Sequence, residues 1–173
     1  MLKNKSELRR LFLNRRAELN NKRIKELNLN QKLFNLLKKK KDFSIGGYYP
    51  VRFEIDIKKT LQKLIVLNHN ISLPVILGKE RSLIFKPWKK NIPLTNGEFN
   101  IKVPKTKIIL KPNLLIVPLV AFNISRFRLG YGGGFYDRTI DEYNKNSLFT
   151  IGVVCDEQES LEMSAELHVK RFS

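Results

Sequence analysis

Residues 128–138, Arg-Leu-Gly-Tyr-Gly-Gly-Gly-Phe-Tyr-Asp-Arg, hold the densest set of groups in the chain that could do chemistry. Four of the nine glycines fall between Gly130 and Gly134. Glycine tolerates φ > 0 and has no side chain to hold a ligand away. Such a run lets successive backbone N–H groups converge on an anion as a nest. The residues that follow, Phe135 to Tyr143, read as a helix whose first N–H groups face the same point. Arg128 and Arg138 bracket the loop with positive charge, and Asp137 falls in the first helical turn. Cations beside a nest fit a phosphate; a carboxylate among them fits a divalent ion carried by that phosphate. The simpler reading is a glycine turn between strand and helix. The loop has neither Gly-Lys-Ser/Thr nor a full Gly-x-Gly-x-x-Gly, so its residues alone do not name a nucleotide.

A loop of this kind needs a strand before it and a helix behind it. Leu114–Val117 is the most apolar segment and β-branched enough for a central parallel strand. The loop beyond Pro118–Phe127 then falls near the C-terminal edge of a sheet, where open α/β folds bind ligands. Apolar spacing predicts a helix from Ser6 to about Leu19, through Leu8, Leu11, Phe12 and Leu19, with Lys5, Arg9 and Arg16 on a solvated face beside the stripe. A second runs from Lys22 to Lys39 and buries Ile24, Leu27, Leu33, Phe34 and Leu37. Phe43–Tyr48 is a short strand; Gly46-Gly47 marks a close approach to a neighbouring strand or ligand, and Pro50 stops the ladder. Glu54-Ile55-Asp56 opens a third helix reaching about Leu67, its acids serving the helix dipole. Ile71–Leu77, interrupted by Pro74, Ser82–Phe85 and the buried Leu148–Cys155 complete the sheet. Between Lys89 and Pro112 the chain is loop-like and is a candidate lid.

At 173 residues the expectation is one α/β domain with a substantial core. With 42% apolar and 28% charged residues, the composition is that of a soluble globular protein. No apolar run approaches a membrane span, and the N-terminal MLKNKSELRR is charged where a signal peptide needs its apolar core. The lone Cys155, beside Val153 and Val154, excludes an intrachain disulfide and a Cys-rich zinc site; it reads as a buried thiol in a reducing cytoplasm. Thirty-three basic residues against 16 acidic ones give a net charge of +17. Nucleic-acid or anionic-membrane binding would account for it; so would an anionic substrate, or drift toward lysine on tolerant surfaces, the reading we favour. The only basic run, Lys38–Lys41, closes a helix, where cations offset exposed carbonyls.

Residues 128–138, preceded by Leu114–Phe122, resemble the hallmark of 5-formyltetrahydrofolate cyclo-ligases (methenyltetrahydrofolate synthetases), and the similarity runs from Lys5 to about His168. Lys5-Ser6-Glu7-Leu8-Arg9 is similar to the family's K-x-x-L-R, whose basic residues contact ATP phosphates. Tyr48-Tyr49-Pro50 followed by Glu54 resembles the stretch that binds the folate, and Phe85-x-x-Trp88 matches an F-x-x-W near the substrate. The resemblance implies a three-layer α/β/α domain over 1–173 with a mostly parallel central sheet. It assigns Lys5, Arg9, Arg128, Leu129, Gly130, Tyr131, Gly132, Gly133, Gly134, Phe135 and Tyr136 to ATP. It gives Tyr49, Glu54 and Trp88 to 5-formyltetrahydrofolate, with or without a polyglutamate tail, and Asp137 to Mg²⁺. The implied reaction phosphorylates the formyl oxygen and closes the ring through N10 in the cytoplasm, with neither membrane nor nucleic acid as partner.

The chain departs from the family's pattern at several places. Val103-Pro104 stands for a Glu-Pro, Asn123 follows Phe122 where an aspartate is expected, and Gly133 replaces a residue that is basic in many relatives. Ser164–Val169 stands for P-x-E-x-H-D, which puts Val169 in place of an acid, and no terminal strand is evident. Two other readings therefore stay open: a folate- or nucleotide-binding relative without turnover, and a basic nucleic-acid-binding protein on the same scaffold.

Overall fold

Every residue of one strand, Leu114–Pro118, is buried. Leu114 and Ile116 enter one hydrophobic cluster, while Leu115 and Val117 enter another. A strand covered on both faces must be apolar at every position, and this one is. The computed structural model describes residues 4–143, 147–163 and 170–171. In chain order they form α1 (Lys5–Ala17), α2 (Lys22–Leu37), β1 (Ser44–Gly46), α3 (Lys58–Val66), β2 (Asn70–Val75) and β3 (Ile84–Pro87). There follow β4 (Leu94–Asn96), β5 (Lys102–Pro104), β6 (Leu114–Pro118), β7 (Ala121–Phe122), β8 (Phe127–Leu129), α4 (Phe135–Tyr143), β9 (Phe149–Val153) and β10 (Lys170–Arg171).

The central sheet has the order β3-β2-β1-β6-β9. Its pairs are parallel except the antiparallel β2–β3 edge. Leu33 and Leu37 of α2 and Leu61 and Leu64 of α3 cover one face. Tyr143, with Ile140 and Phe135 of α4, covers the other. The α/β/α layering expected from the sequence is present. A second sheet, β10-β8-β7, lies apart and packs on Leu8 and Phe12 of α1 through Ala121 and Leu129. Gly46 shows how tightly the layers meet: a Cβ there would lie 2.6 Å from Leu115 Cδ2 and 2.8 Å from Phe85 Cε1. The close approach is to core side chains on the α4 face.

Several boundaries differ from the sequence expectation. Asn4 rather than Ser6 opens α1: its Oδ1 accepts from the N–H groups of Ser6 and Glu7 at 2.9 and 3.0 Å, and Glu7 caps Asn4 N in return. On α2, the stripe that reaches the core is Leu29, Leu33 and Leu37. Extended back by four, it passes between Ile24 and Leu27, which are 57% and 58% exposed. The third helix begins at Lys58, not Glu54, because Asp56 Oδ1 accepts from Lys58 N at 2.9 Å and supplies the start. β9 is an edge strand, with Phe149 half exposed, rather than a buried one. The stretch 89–112 contains the β4–β5 hairpin. A C-terminal strand also exists: β10 pairs antiparallel with β8, and two charged residues are too short a run to read as a strand. No helix among the described residues is long and apolar enough to cross a membrane.

Thr139 ties α4 to the sheet. Its fully buried hydroxyl accepts from Leu83 N at 2.8 Å and donates to Phe135 O at 2.7 Å. Thr139→Val keeps the shape but leaves the Leu83 N–H buried and unpaired, at a cost of about 1–3 kcal/mol. Urea unfolding should show a lower midpoint at unchanged m; an unmoved midpoint would mean that the bond contributes nothing net.

Candidate functional site

A cavity of about 590 Å³ opens at the C-terminal ends of the parallel strands. Tyr48 and Tyr49 beyond β1, Pro74 and Ile76 around the end of β2, Val117 and Pro118 of β6, and Leu119 just after it form its floor. The glycine loop 128–134 and the first turn of α4 form one wall, and Lys5 and Arg9 reach in from α1. Glu98, Phe99, Ile101 and Val103 of the β4–β5 hairpin complete the lining. The hairpin turns through two adjacent left-handed residues, Phe99 at φ 53° and Asn100 at φ 58°. Part of the segment read as a candidate lid therefore borders the cavity.

The glycine loop leaves β8 and feeds directly into α4. Gly132 and Gly134 take φ of +98° and +67°, while Gly130 and Gly133 do not need the left-handed region. Alternation of this kind turns successive N–H groups to one side. Arg9 lies along the loop: its Nε donates to Gly130 O at 2.9 Å, and a Cβ on Gly132 would sit 3.2 Å from its guanidinium carbon. Arg138 holds the far end, donating to Gly133 O at 2.7 Å. Arg128 is buried and donates to Asp137 Oδ1 at 2.6 Å. That bond holds the carboxylate beside the glycine loop.

Glu54 sits on a turn that the sequence reading missed. Glu54 N donates to Val51 O at 2.9 Å, and the central residues Arg52 and Phe53 have φ of 45° and 63°. Both lie where bulky side chains are disfavoured, a conformation that persists only when surroundings impose it. The carboxylate accepts from Val51 N at 2.8 Å and from the Tyr131 hydroxyl at 2.7 Å, not from the start of a helix. The Tyr131 hydroxyl accepts in turn from Arg16 Nη2 at 2.5 Å. Burial pushes the Glu54 carboxyl above its ordinary value, against the Tyr131 and Val51 hydrogen bonds and the Arg16 and Arg52 charges, which hold it down. The same burial, followed by the Glu54 charge, raises Tyr48, Tyr131 and Tyr136. The Tyr136 hydroxyl is buried without a protein partner beside the cavity.

All but one of the residues that the resemblance assigns to ATP, folate or Mg²⁺ line this cavity. Trp88 does not; it belongs to the core between sheet and helices, where its backbone N–H donates to Ile71 O at 2.8 Å. Arg16, read as solvated, is 2% exposed. Its spacing of four from Phe12 and eight from Leu8, both buried, was the available signal. Asn123 works as a local brace, accepting from Phe127 N at 3.0 Å and donating to Met163 O at 2.7 Å. Val103 lines the cavity, and Ser164–Val169 lies outside the described residues.

No group of three or more His, Cys, Asp or Glu side chains able to hold a metal occurs among the described residues. Asp137 is 43% exposed, lines the cavity beside the glycine loop and has one oxygen engaged by Arg128. That donor set suits Mg²⁺, which takes one or two carboxylates and completes its shell with phosphates and water, and not a metal needing a full protein cage.

A profile of the 5-formyltetrahydrofolate cyclo-ligase family matches residues 1–168. A 5-formyltetrahydrofolate cyclo-ligase of Haemophilus influenzae is 33% identical over 144 residues, 79% of this chain and 77% of that protein. One from Mycoplasma genitalium is 29% identical over 89% of this chain and 86% of its own. Among solved structures, the 5,10-methenyltetrahydrofolate synthetase of Aquifex aeolicus superposes with a TM-score of 0.73 at 26% identity, over 92% of this chain and 80% of that one. That of Mycoplasma pneumoniae gives 0.74 at 22% identity, over 98% and 96%, a likeness of fold.

Proposed function

The chain belongs to the 5-formyltetrahydrofolate cyclo-ligase family, and from that premise we propose that its cavity seats ATP, Mg²⁺ and 5-formyltetrahydrofolate together. The chain is an enzyme that converts 5-formyltetrahydrofolate to 5,10-methenyltetrahydrofolate. The observation that carries the two-ligand reading is the bond between Tyr131 of the glycine loop and Glu54 of the strained turn, 2.7 Å, which puts an anion cradle and a carboxylate against one space. Lys5, Arg9 and the residues from Arg128 to Tyr136 serve the ATP phosphates; Tyr49 and Glu54 serve the pterin. Trp88, in the core, is not among them.

The formyl oxygen attacks the γ-phosphorus, and an O–P bond forms as the bond to the ADP oxygen breaks. N10 then adds to the formyl carbon, loses its proton, and phosphate leaves with the former formyl oxygen. No protein nucleophile is needed, and Cys155 is buried in the core cluster. The chain contributes positioning and charge, the usual means in phosphoryl transfer. The Glu54 carboxylate accepts adjacent N–H groups from the aminopyrimidine edge, and Lys58, 4.9 Å from the Tyr49 ring, fixes that ring at the rim. The Tyr136 hydroxyl supplies a donor not used within the protein. Mg²⁺, when bound, neutralises phosphate charge as ADP forms, and Asp137 is the residue that would hold it. A buried free thiol supports a reducing cytoplasm.

The decisive experiment follows the absorbance of 5,10-methenyltetrahydrofolate with ATP, Mg²⁺ and 5-formyltetrahydrofolate. Turnover is expected; none at any Mg²⁺ concentration would leave a binding relative without catalysis. Glu54→Gln swaps an acceptor for a donor facing a donor, so folate binding should fall by about 1.5–3 kcal/mol with ATP affinity near normal. Equal losses for both ligands in calorimetry would make Glu54 a structural residue.

A further inference from the structure

Among the described residues Arg16 is the most deeply buried charged side chain near the cavity, yet none of their carboxylates pairs with it. Its Nη1 donates to Leu119 O at 3.2 Å, and its Nη2 donates to Arg52 O and to the Tyr131 hydroxyl, both at 2.5 Å. Those acceptors belong to the segment after β6, to the left-handed turn that carries Glu54, and to the glycine loop. Arg16 Nε is buried with no partner. A cation buried this completely is costly unless its donors are used. A planar fork with five N–H groups meets three separated acceptors as a flexible lysine does not.

We propose that Arg16 and Tyr131 are positioning residues for Glu54: the guanidinium grips the turn at Arg52 and, through the Tyr131 hydroxyl, fixes the carboxylate that meets the folate. The inference rests on the reading of Glu54 as the folate anchor. The turn needs such a grip because Arg52 and Phe53 both stand at positive φ. The Arg52 carbonyl is the group that a relaxed turn would swing away, and Arg16 binds it. Tyr131 meanwhile lies between a cation and an anion, with the Arg16 guanidinium 5.4 Å from its ring and Arg52 on the ring at 5.8 Å.

The charge of Glu54 depends on the same contacts. Facing it are Arg16 from α1, Arg52 from its own turn, Tyr48 from beyond β1, and Tyr131 and Tyr136 from the loop and α4. Burial favours the protonated acid; the Tyr131 hydroxyl and the two arginines oppose it. A protonated Glu54 cannot accept two pterin N–H groups, so folate affinity falls as pH drops through its pKa. Removing Tyr131's hydroxyl takes away a group that lowers that pKa, so the acid limb of folate binding must move to higher pH.

The test uses the full chain and 5-formyltetrahydrofolate without ATP, with affinity measured across pH in the parent, Tyr131→Phe, Arg16→Lys and Glu54→Gln, each checked by thermal unfolding. For Tyr131→Phe we expect roughly ten-fold weaker binding at neutral pH and an acid limb displaced upward by about one pH unit. Arg16→Lys should move in the same direction. A purely structural role would lower the melting temperature and leave the limb in place. An unmoved limb in folded Tyr131→Phe, with Glu54→Gln still losing folate, overturns the inference and leaves the anchor standing. Full folate binding by Glu54→Gln would instead remove the anchor, and this inference with it. Should Arg16→Lys fail to fold, Tyr131→Phe, one oxygen short of the parent, decides alone.

Discussion

Asp137→Asn should abolish turnover, by at least roughly a hundred-fold at any Mg²⁺ concentration. The expectation follows from how little else could take over. Asp137 is the acid on the first turn of α4 that lines the cavity, and no cluster of three metal-capable side chains exists among the described residues. Asparagine keeps an acceptor for Arg128 but removes the charge that a phosphate-bound cation would meet. The substitution also takes from Arg128, 5% exposed, the charge of its ion-pair partner, which adds a structural loss to the functional one. Two calorimetric titrations separate the causes. If Asp137 serves the metal, ATP binding without Mg²⁺ should be little changed, while the added affinity with Mg²⁺ disappears. Parent-like turnover in Asp137→Asn would show that the metal role is misassigned.

The second large effect is expected at Gly132. Its φ of +98° lies outside the region open to branched side chains, and a Cβ would press on the Arg9 guanidinium at 3.2 Å. Gly132→Val must either flatten the nest or displace Arg9 from Gly130 O. ATP affinity should drop roughly ten- to hundred-fold, since a left-handed position costs a bulky residue on the order of 1–3 kcal/mol. Gly130 is the internal control: a Cβ there would have no atom within 4 Å, and its φ is not positive. Gly130→Ala should bind ATP almost as the parent does. Equal effects at the two positions would mean that the loop matters only as a flexible turn. Gly133→Val would act differently, through the Phe135 ring 2.7 Å from its Cβ.

What could be read from the sequence was mostly what local chemistry decides. The helix after the glycines runs from Phe135 to Tyr143 as expected, because the glycines end one element and an apolar face begins the next. β6 was legible because a strand buried on both faces carries no polar residue to confuse it. Lys5, Arg9, Tyr49 and Glu54 were found only through resemblance to a family, and they do line one cavity. Trp88 followed the same resemblance and belongs to the core, since a motif match does not say which way an indole faces. Arg16 escaped notice because its partners, Arg52, Leu119 and Tyr131, come from three distant segments and none is acidic. The Glu54 turn was unreadable for the same reason: nothing in Val-Arg-Phe-Glu announces two left-handed residues, and tertiary contacts impose them. The β4–β5 hairpin was lost because strands of three residues are too short to show alternation.

The strand that carries Arg128 is flanked by β7, which precedes it closely in the chain, and by β10, which is made long after it. A chain cut after β9 keeps every strand of the central sheet, whose last strand is β9, and leaves β8 with one edge open. The core and the support of the glycine loop therefore draw on different stretches of the chain. A chain clipped before β10 would keep its central sheet, yet present a glycine loop whose supporting ladder is half built.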